Sequence, residues 1–206
     1  MTSLHRTTAL FLALGASVAW AAPKTYDFKD PKGVNNVQFQ LDAPLESISG
    51  QGTGIGGTVV FDPAAPEATT GRIVLAAASL TVGNSMMLDH LRGATWLDVA
   101  AHPEITFDAK ALRNVTTTGG VVRAELTGVL TLKGVSKEIT VPVSLTHLPG
   151  KLGARLNKPD LKGDLLVVRA QFSIARSDFG IQPGQYADKV SERIDLTLSL
   201  AGASAE

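Results

Sequence analysis

The chain has 206 residues, with 19 Lys and Arg against 19 Asp and Glu, no cysteine, and 44% hydrophobic but only 5% aromatic residues. A formal net charge of zero offers nothing that would attract nucleic acid or an anionic membrane surface. Without cysteine there are no disulfides, thiolate metal ligands or cysteine-linked lipid anchor, and the length suits one domain with a sizeable core.

Residues 1–21 read as a secretory leader that is cleaved. Arg6 follows His5, an apolar run extends from Ala9 to Trp20, and Ala19-Trp20-Ala21 has the small-x-small form of a cleavage site. The run is too short for a bilayer-spanning helix, and no later segment is apolar for long enough. The expected product is an exported protein with a single domain over residues 22–206.

Strand-like alternation dominates from there. Val37, Phe39 and Leu41 share one face, and Thr58-Val-Val-Phe61 stops at Asp62-Pro63. Between them Gly52-Thr-Gly-Ile-Gly-Gly57 fits the G-x-G-x-x-G dinucleotide fingerprint, but it leads into a strand rather than a helix, so a hairpin or bulge is expected. Arg72 to Leu80 is apolar on both faces and fits a strand or a buried helix, with Gly71 and Thr81-Val82-Gly83 at its ends favouring a strand. Asn84 to Arg92 breaks the rhythm. Met87, Leu88 and Leu91 stand at helical spacing there, Asn84 or Ser85 supplies an N-cap and Gly93 a stop.

After Pro103, the residues Ile105, Phe107, Ala109 and Ala111 alternate, and a long strand runs from about Val121 to Leu132. In the stretch from Leu126 to Leu145, one face carries Leu126, Gly128, Leu130 and Leu132, then Ile139, Val141, Val143 and Leu145; the other is largely threonine, serine and charge. Pro149 to Gly163, rich in Lys, Arg, Gly and Pro, reads as a surface loop. Leu166 to Ile174 and Ile194 to Leu200 close the series. Seven or more such strands imply an all-β fold, an antiparallel sandwich or barrel. The inward positions are mostly small or medium, with Phe39, Phe107 and Phe172 as the aromatics, and a barrel of about eight strands sits at the size that either fills itself or holds one elongated ligand.

The sequence resembles the YceI-like family of lipid- and polyisoprenoid-binding proteins. The likeness is carried by Asn36-Val-Gln-Phe39, Gly57 to Pro63, Ala78-Ser79-Leu80, Asp89-His90-Leu91-Arg92, His102 to Phe107, Leu126 to Lys137 and Arg176-Ser-Asp-Phe-Gly-Ile181. It implies an antiparallel eight-stranded lipocalin-like β-barrel with one short helix, in a bacterial protein exported to the periplasm, with an interior pocket for a long isoprenoid or similar amphiphile. Two departures stand at places that shape a pocket mouth: Trp96-Leu97 replaces the family's usual large hydrophobic residue, often a pair of phenylalanines, and Gly50 to Gly57 is unusually glycine-rich.

The candidate pocket lining is Val37, Phe39, Met87, Leu91, Phe107, Leu126, Leu130, Val141, Val143 and Phe172, with the helix at the mouth. Arg176 and Asp178 form a structural rim pair. No catalytic residue is assigned: no G-x-S-x-G occurs, and Ser79 and Ser85 have no histidine beside them in sequence. His90, His102 and His147 lack metal-ligand spacing and are expected to be structural. No cofactor is expected. The expected partner is a long-chain isoprenoid or other lipid, without nucleic acid or stable membrane insertion, and a homodimer is left open. Two other readings compete: a hydrolase or isomerase acting on a lipid in the same pocket, which needs a Ser or Asp within reach of His90 or His102, and a filled barrel serving as an interaction or stress module, which needs no cavity.

Overall fold

A computed structural model describes residues 22–205; the leader expected at residues 1–21 lies outside them. The strands are β1 (Lys24–Asp27), β2 (Asn36–Asp42), β3 (Ser47–Gly52), β4 (Ile55–Phe61), β5 (Thr70–Ala76), β6 (Thr81–Val82), β7 (Glu104–Thr118), β8 (Val121–Leu132), β9 (Val135–Leu148), β10 (Gly163–Ala175) and β11 (Arg193–Ala205). Helix α1 (Ser85–Arg92) follows β6, and the single-turn α2 (Leu152–Leu156) follows β9. Every pairing is antiparallel, and β1, β4, β5, β7, β8, β9, β10 and β11 form a ring closed by β1 against β11.

The eleven segments amount to eight staves, because three staves are interrupted. On one edge of β11, β1 pairs at Asp27↔Ala203 and β2 takes over at Asn36↔Ser199. Their partners follow suit: β3 pairs with β2 from Asp42↔Ser47 to Val37↔Gly52, and β4 pairs with β1 from Asp27↔Thr58 to Lys24↔Phe61. β5 and β6 repeat the pattern against β4 and β3.

Side chains repair the ladder at the breaks. Asn35, 2% exposed, accepts from the Ala201 N–H at 2.8 Å and donates to the Ala201 carbonyl at 3.1 Å, so its carboxamide stands in for the missing backbone between β1 and β2. At the next break the Gly54 N–H donates to Ser79 Oγ at 3.0 Å, which gives Ser79 a structural task. The G-x-G-x-x-G segment spans this break and enters β4, as a barrel wall requires. Gly57, at φ +103°, lies so close to β5 that a Cβ would fall 2.1 Å from the Arg72 carbonyl oxygen.

Two expectations are corrected. The alternation from Ile105 does not continue through Ala111, because a bulge shifts the register between Ala109↔Gly128 and Ala111↔Thr127, and an extra residue in one strand reverses the faces beyond it. Leu112, not Ala111, is therefore buried. The stretch Pro149 to Gly163 is also more than a loop: α2 buries Leu152 and Gly153 against the end of the barrel. Gly153 has no room for a Cβ, which would meet the Leu161 and Lys158 carbonyl oxygens at 2.5 and 2.6 Å.

Candidate ligand-binding site

The two ends of the barrel differ. Tyr26, Phe28, Phe61, Leu145, Leu166 and Leu200 fill the end reached by the starts of β1 and β10 and by α2, each at most 3% exposed. Asp164 ties this end together, accepting from Lys24 Nζ at 2.7 Å and the Gly150 N–H at 2.8 Å, with His147 Nε2 at 3.3 Å. Burial opposes ionisation of Asp164, but these hydrogen bonds and the Lys24 charge outweigh it and hold its carboxyl below the usual range. The His147 ring sits 6.2 Å from both Tyr26 and Phe61, packed into the same plug.

Above the plug lies a cavity of about 670 Å³, within the ~300–1,000 Å³ typical of small-molecule sites. Val37, Phe39, Met87, Leu91, Phe107, Leu126, Leu130, Val141, Val143 and Phe172 all line it. The face that opens with Leu126 thus does two things: Leu126, Leu130, Val141 and Val143 border space, while Leu145 belongs to the plug. Further lining comes from residues that the sequence reading left out, among them Ile48, Ile73, Leu80, Trp96, Gln182 and Tyr186.

Glycines keep the space open. Phe39 faces Gly50 across the β2–β3 ladder, and a Cβ on Gly50 would fall 2.3 Å from Phe39 Cζ. On Gly128 it would fall 2.4 Å from Phe107 Cζ. Each ring therefore lies back over a glycine of the neighbouring strand instead of projecting toward the barrel axis. The same device in the plug sets Phe28 over Gly202. The glycine-rich stretch Gly50 to Gly57 accordingly shapes the wall, whereas Trp96 shapes the mouth.

The mouth is built from α1, the segment 93–103 and the β10–β11 connection. Asn84 caps α1 by accepting from the Met87 N–H at 3.1 Å, and Gly93 ends it. Arg92 fastens the helix by donating to the Ala78 and Leu80 carbonyls at 2.6 and 3.0 Å. No α1 residue is fully buried; Met87, His90 and Leu91 border the cavity, and Leu91 also packs against the edge of the core. Opposite, the Tyr186 ring packs at a tilt against Trp96, centroids 6.0 Å apart, and Gln182 donates to the Thr95 carbonyl at 3.1 Å. Polar groups gather here, with Glu46, His90, Gln182 and Lys189 bordering an otherwise apolar space.

Arg176 organises the connection. It is 1% exposed and donates to four backbone carbonyls: Ser191 at 3.2 Å, Ile181 at 2.8 Å, Gln182 and Gln185. Its carboxylate neighbour is Glu192 at 3.6 Å, not Asp178, which corrects the expected rim pair. Residues two apart in a tight helical turn point in different directions, and Asp178 is exposed. Burial opposes ionisation of Glu192, but hydrogen bonds from the Ser177 hydroxyl and N–H, with the Arg176 charge, hold it below the usual range.

The other polar candidates do not converge. Neither the His90 nor the His102 ring bonds a serine or a carboxylate among the described residues; His102 instead packs under the β8–β9 turn, its ring 2.7 Å from where a Cβ of Gly134 would stand. No group of three or more His, Cys, Asp or Glu among the described residues is placed to hold a metal. None of the described helices is long and apolar enough to cross a membrane.

The sequence pattern of the YceI-like domain matches residues 30–201. The chain belongs to the YceI-like family. Among relatives, it is similar to the UPF0312 protein of Pseudomonas savastanoi pv. phaseolicola, 31% identical over 147 residues that cover 71% of this chain and 68% of that one. It is also similar to the UPF0312 protein of Ectopseudomonas mendocina, 33% identical over 146 residues covering 71% and 69%. Among solved structures, BcnA of Burkholderia cenocepacia superposes with a TM-score of 0.66 at 22% identity, covering 81% of this chain and 95% of that one. A polyisoprenoid binding domain from Saccharophagus degradans, implicated in plant cell wall breakdown, superposes at 0.63 with 11% identity, covering 90% and 100%. At these identities the structures establish the YceI-like barrel, and ligand chemistry must be argued from the cavity.

Proposed function

We propose that this YceI-like protein binds one long apolar chain, such as a polyisoprenoid, an isoprenoid quinone or a fatty-acyl amphiphile, non-covalently inside its barrel, and carries, stores or sequesters it in the bacterial envelope. The observation that carries this reading is a cavity walled by aliphatic and aromatic side chains, plugged at one end, with its polar groups at the other. Such a shape suits a ligand with a buried tail and a head at the mouth. Desolvation supplies the affinity: ten buried methylenes give ~8 kcal/mol gross, from which association costs of ~4–15 kcal/mol are subtracted, so a chain long enough to fill the cavity is needed. The ten predicted residues would supply apolar contact, and no group is required to do chemistry. Export to the periplasm is part of the proposal and rests on the leader pattern of residues 1–21. The polyisoprenoid-binding neighbour supports the ligand class.

Val141→Phe tests it. Val141 is 5% exposed to solvent yet borders the cavity. If that space is kept for ligand, the added ring occupies it, ligand-free stability is kept or raised, and retention of a fluorescent prenyl-chain probe is lost. In a filled core the same change overpacks by ~1–3 kcal/mol. A destabilised barrel that still retains the probe would refute the proposal.

A further inference from the structure

We infer that the open end of the barrel docks on the surface of a neutral bilayer, and that the lipid passes between membrane and cavity at that contact; the second half of this rests on the lipid-binding reading. The two most exposed large apolar side chains among the described residues are Met86, at 69%, and Leu45, at 67%, and Tyr186 follows at 54%. They come from three separate elements, α1, the β2–β3 turn and the β10–β11 connection, yet all stand around one opening. Met86 stands one helical turn before His90, on the same side of α1, and His90 borders the cavity. Leu45 is held beside the β10–β11 connection by its N–H, which donates to the Asp188 carbonyl at 2.9 Å. Tyr186 itself borders the cavity and packs against Trp96.

Exposed apolar side chains scattered singly are ordinary, and Val34, Val60 and Leu161 are of that kind. A ring of them around an apolar opening is different, because it continues the cavity's surface outward. With the ring pressed into the headgroup and acyl boundary, a chain can slide from membrane to lumen without crossing water. Thioethers and aromatic rings suit that boundary, the first by adapting to irregular apolar shapes and the second by presenting one apolar and one polar edge.

Charge selects the surface. Residues 43–46, 83–103, 132–135 and 176–192, which build this end, contain six acidic side chains against four Lys or Arg. An anionic headgroup layer would be repelled, so the contact fits zwitterionic lipid and depends little on salt.

The experiment combines vesicle cosedimentation with probe transfer, using the protein as exported and the double variant Leu45→Ser with Met86→Ser. Neither residue borders the cavity, and both are exposed, so the fold and the pocket should be untouched. On ligand-free phosphatidylcholine vesicles the native protein should sediment, while the variant should bind roughly tenfold more weakly, since two apolar side chains no longer enter the boundary. Added phosphatidylglycerol should not strengthen binding. Uptake of a fluorescent prenyl-chain probe from vesicles should speed up with vesicle concentration for the native protein and lose that dependence in the variant, while both bind the water-dispersed probe equally. Equal sedimentation of the two forms, binding that requires phosphatidylglycerol, or uptake rates independent of vesicle concentration would each overturn the docking inference. A native protein that sediments with vesicles but binds no probe would leave the docking step standing and bring down the lipid-binding reading instead.

Discussion

Gly128→Ala is expected to cost stability and cavity space together, through one aromatic ring. The new Cβ would fall 2.4 Å from Phe107 Cζ and 2.7 Å from the Asp108 carbonyl oxygen. The backbone oxygen can give little, whereas the ring can swing off the wall and into the lumen. Overpacking of this kind costs ~1–3 kcal/mol, and for a chain of this size each kcal/mol lowers Tm by roughly 2–4 °C. In a Phe107→Leu background the ring contact is gone and only the backbone contact remains, so the alanine should cost less there by ~0.5–3 kcal/mol, the coupling expected of directly contacting residues. Denaturant unfolding of ligand-free protein across the four-member cycle measures this, and probe binding should fall in Gly128→Ala and return in the double variant. Equal costs in both backgrounds, with probe binding unchanged throughout, would refute the account of how the glycines hold the space open.

Arg176→Ala should lower stability by ~1–3 kcal/mol in chemical unfolding, because backbone carbonyls of the connection lose their donor, whereas Asp178→Ala should stay within about 0.5 kcal/mol. The depressed pKa of Asp164 sets a direction with pH: its stabilisation is fully present above the unfolded carboxylate pKa of ~3.9 and is lost as pH falls through the lower folded value. Asp164→Asn should therefore be less stable at neutral pH and show a flatter stability profile below about pH 4. Met87→Ser combined with Leu91→Ser should weaken probe retention more than it lowers Tm, since both border the cavity and neither is fully buried; a large Tm loss with retention intact would make α1 ordinary core.

The sequence is most legible where one face of a strand is buried and the other wet. β8 spans Val121–Leu132, as its alternation predicts, and its inward leucines reach the cavity because a period of two fixes the face once one residue is placed. Elsewhere the local pattern carries less. β1 is only four residues, KTYD, and its one fully buried side chain, Tyr26, has no alternating neighbours to announce it. β3, SISGQG, has Ile48 as its sole large apolar residue and owes its place to pairing with β2 and β6. The bulge in β7 reverses the faces after Ala109 without any glycine or proline to mark it. The pairing of Phe39 with Gly50 and the seating of Phe107 over Gly128 depend on cross-strand register, which single strands do not encode. Arg176 was readable as a rim residue, but its partners are backbone carbonyls, and carbonyls leave no signature in composition. Tyr186, at φ +56° within an irregular connection, likewise carries no periodic signal for its place at the mouth.

The central claim, that the cavity is reserved for a lipid chain, is tested most directly by native mass spectrometry of protein purified from a bacterial envelope without detergent exchange, followed by solvent extraction and identification of what is released. The account predicts one apolar-chain lipid per barrel, present in the native protein and depleted in Val141→Phe. A bare polypeptide mass in both, with a lipid-free extract, would contradict it.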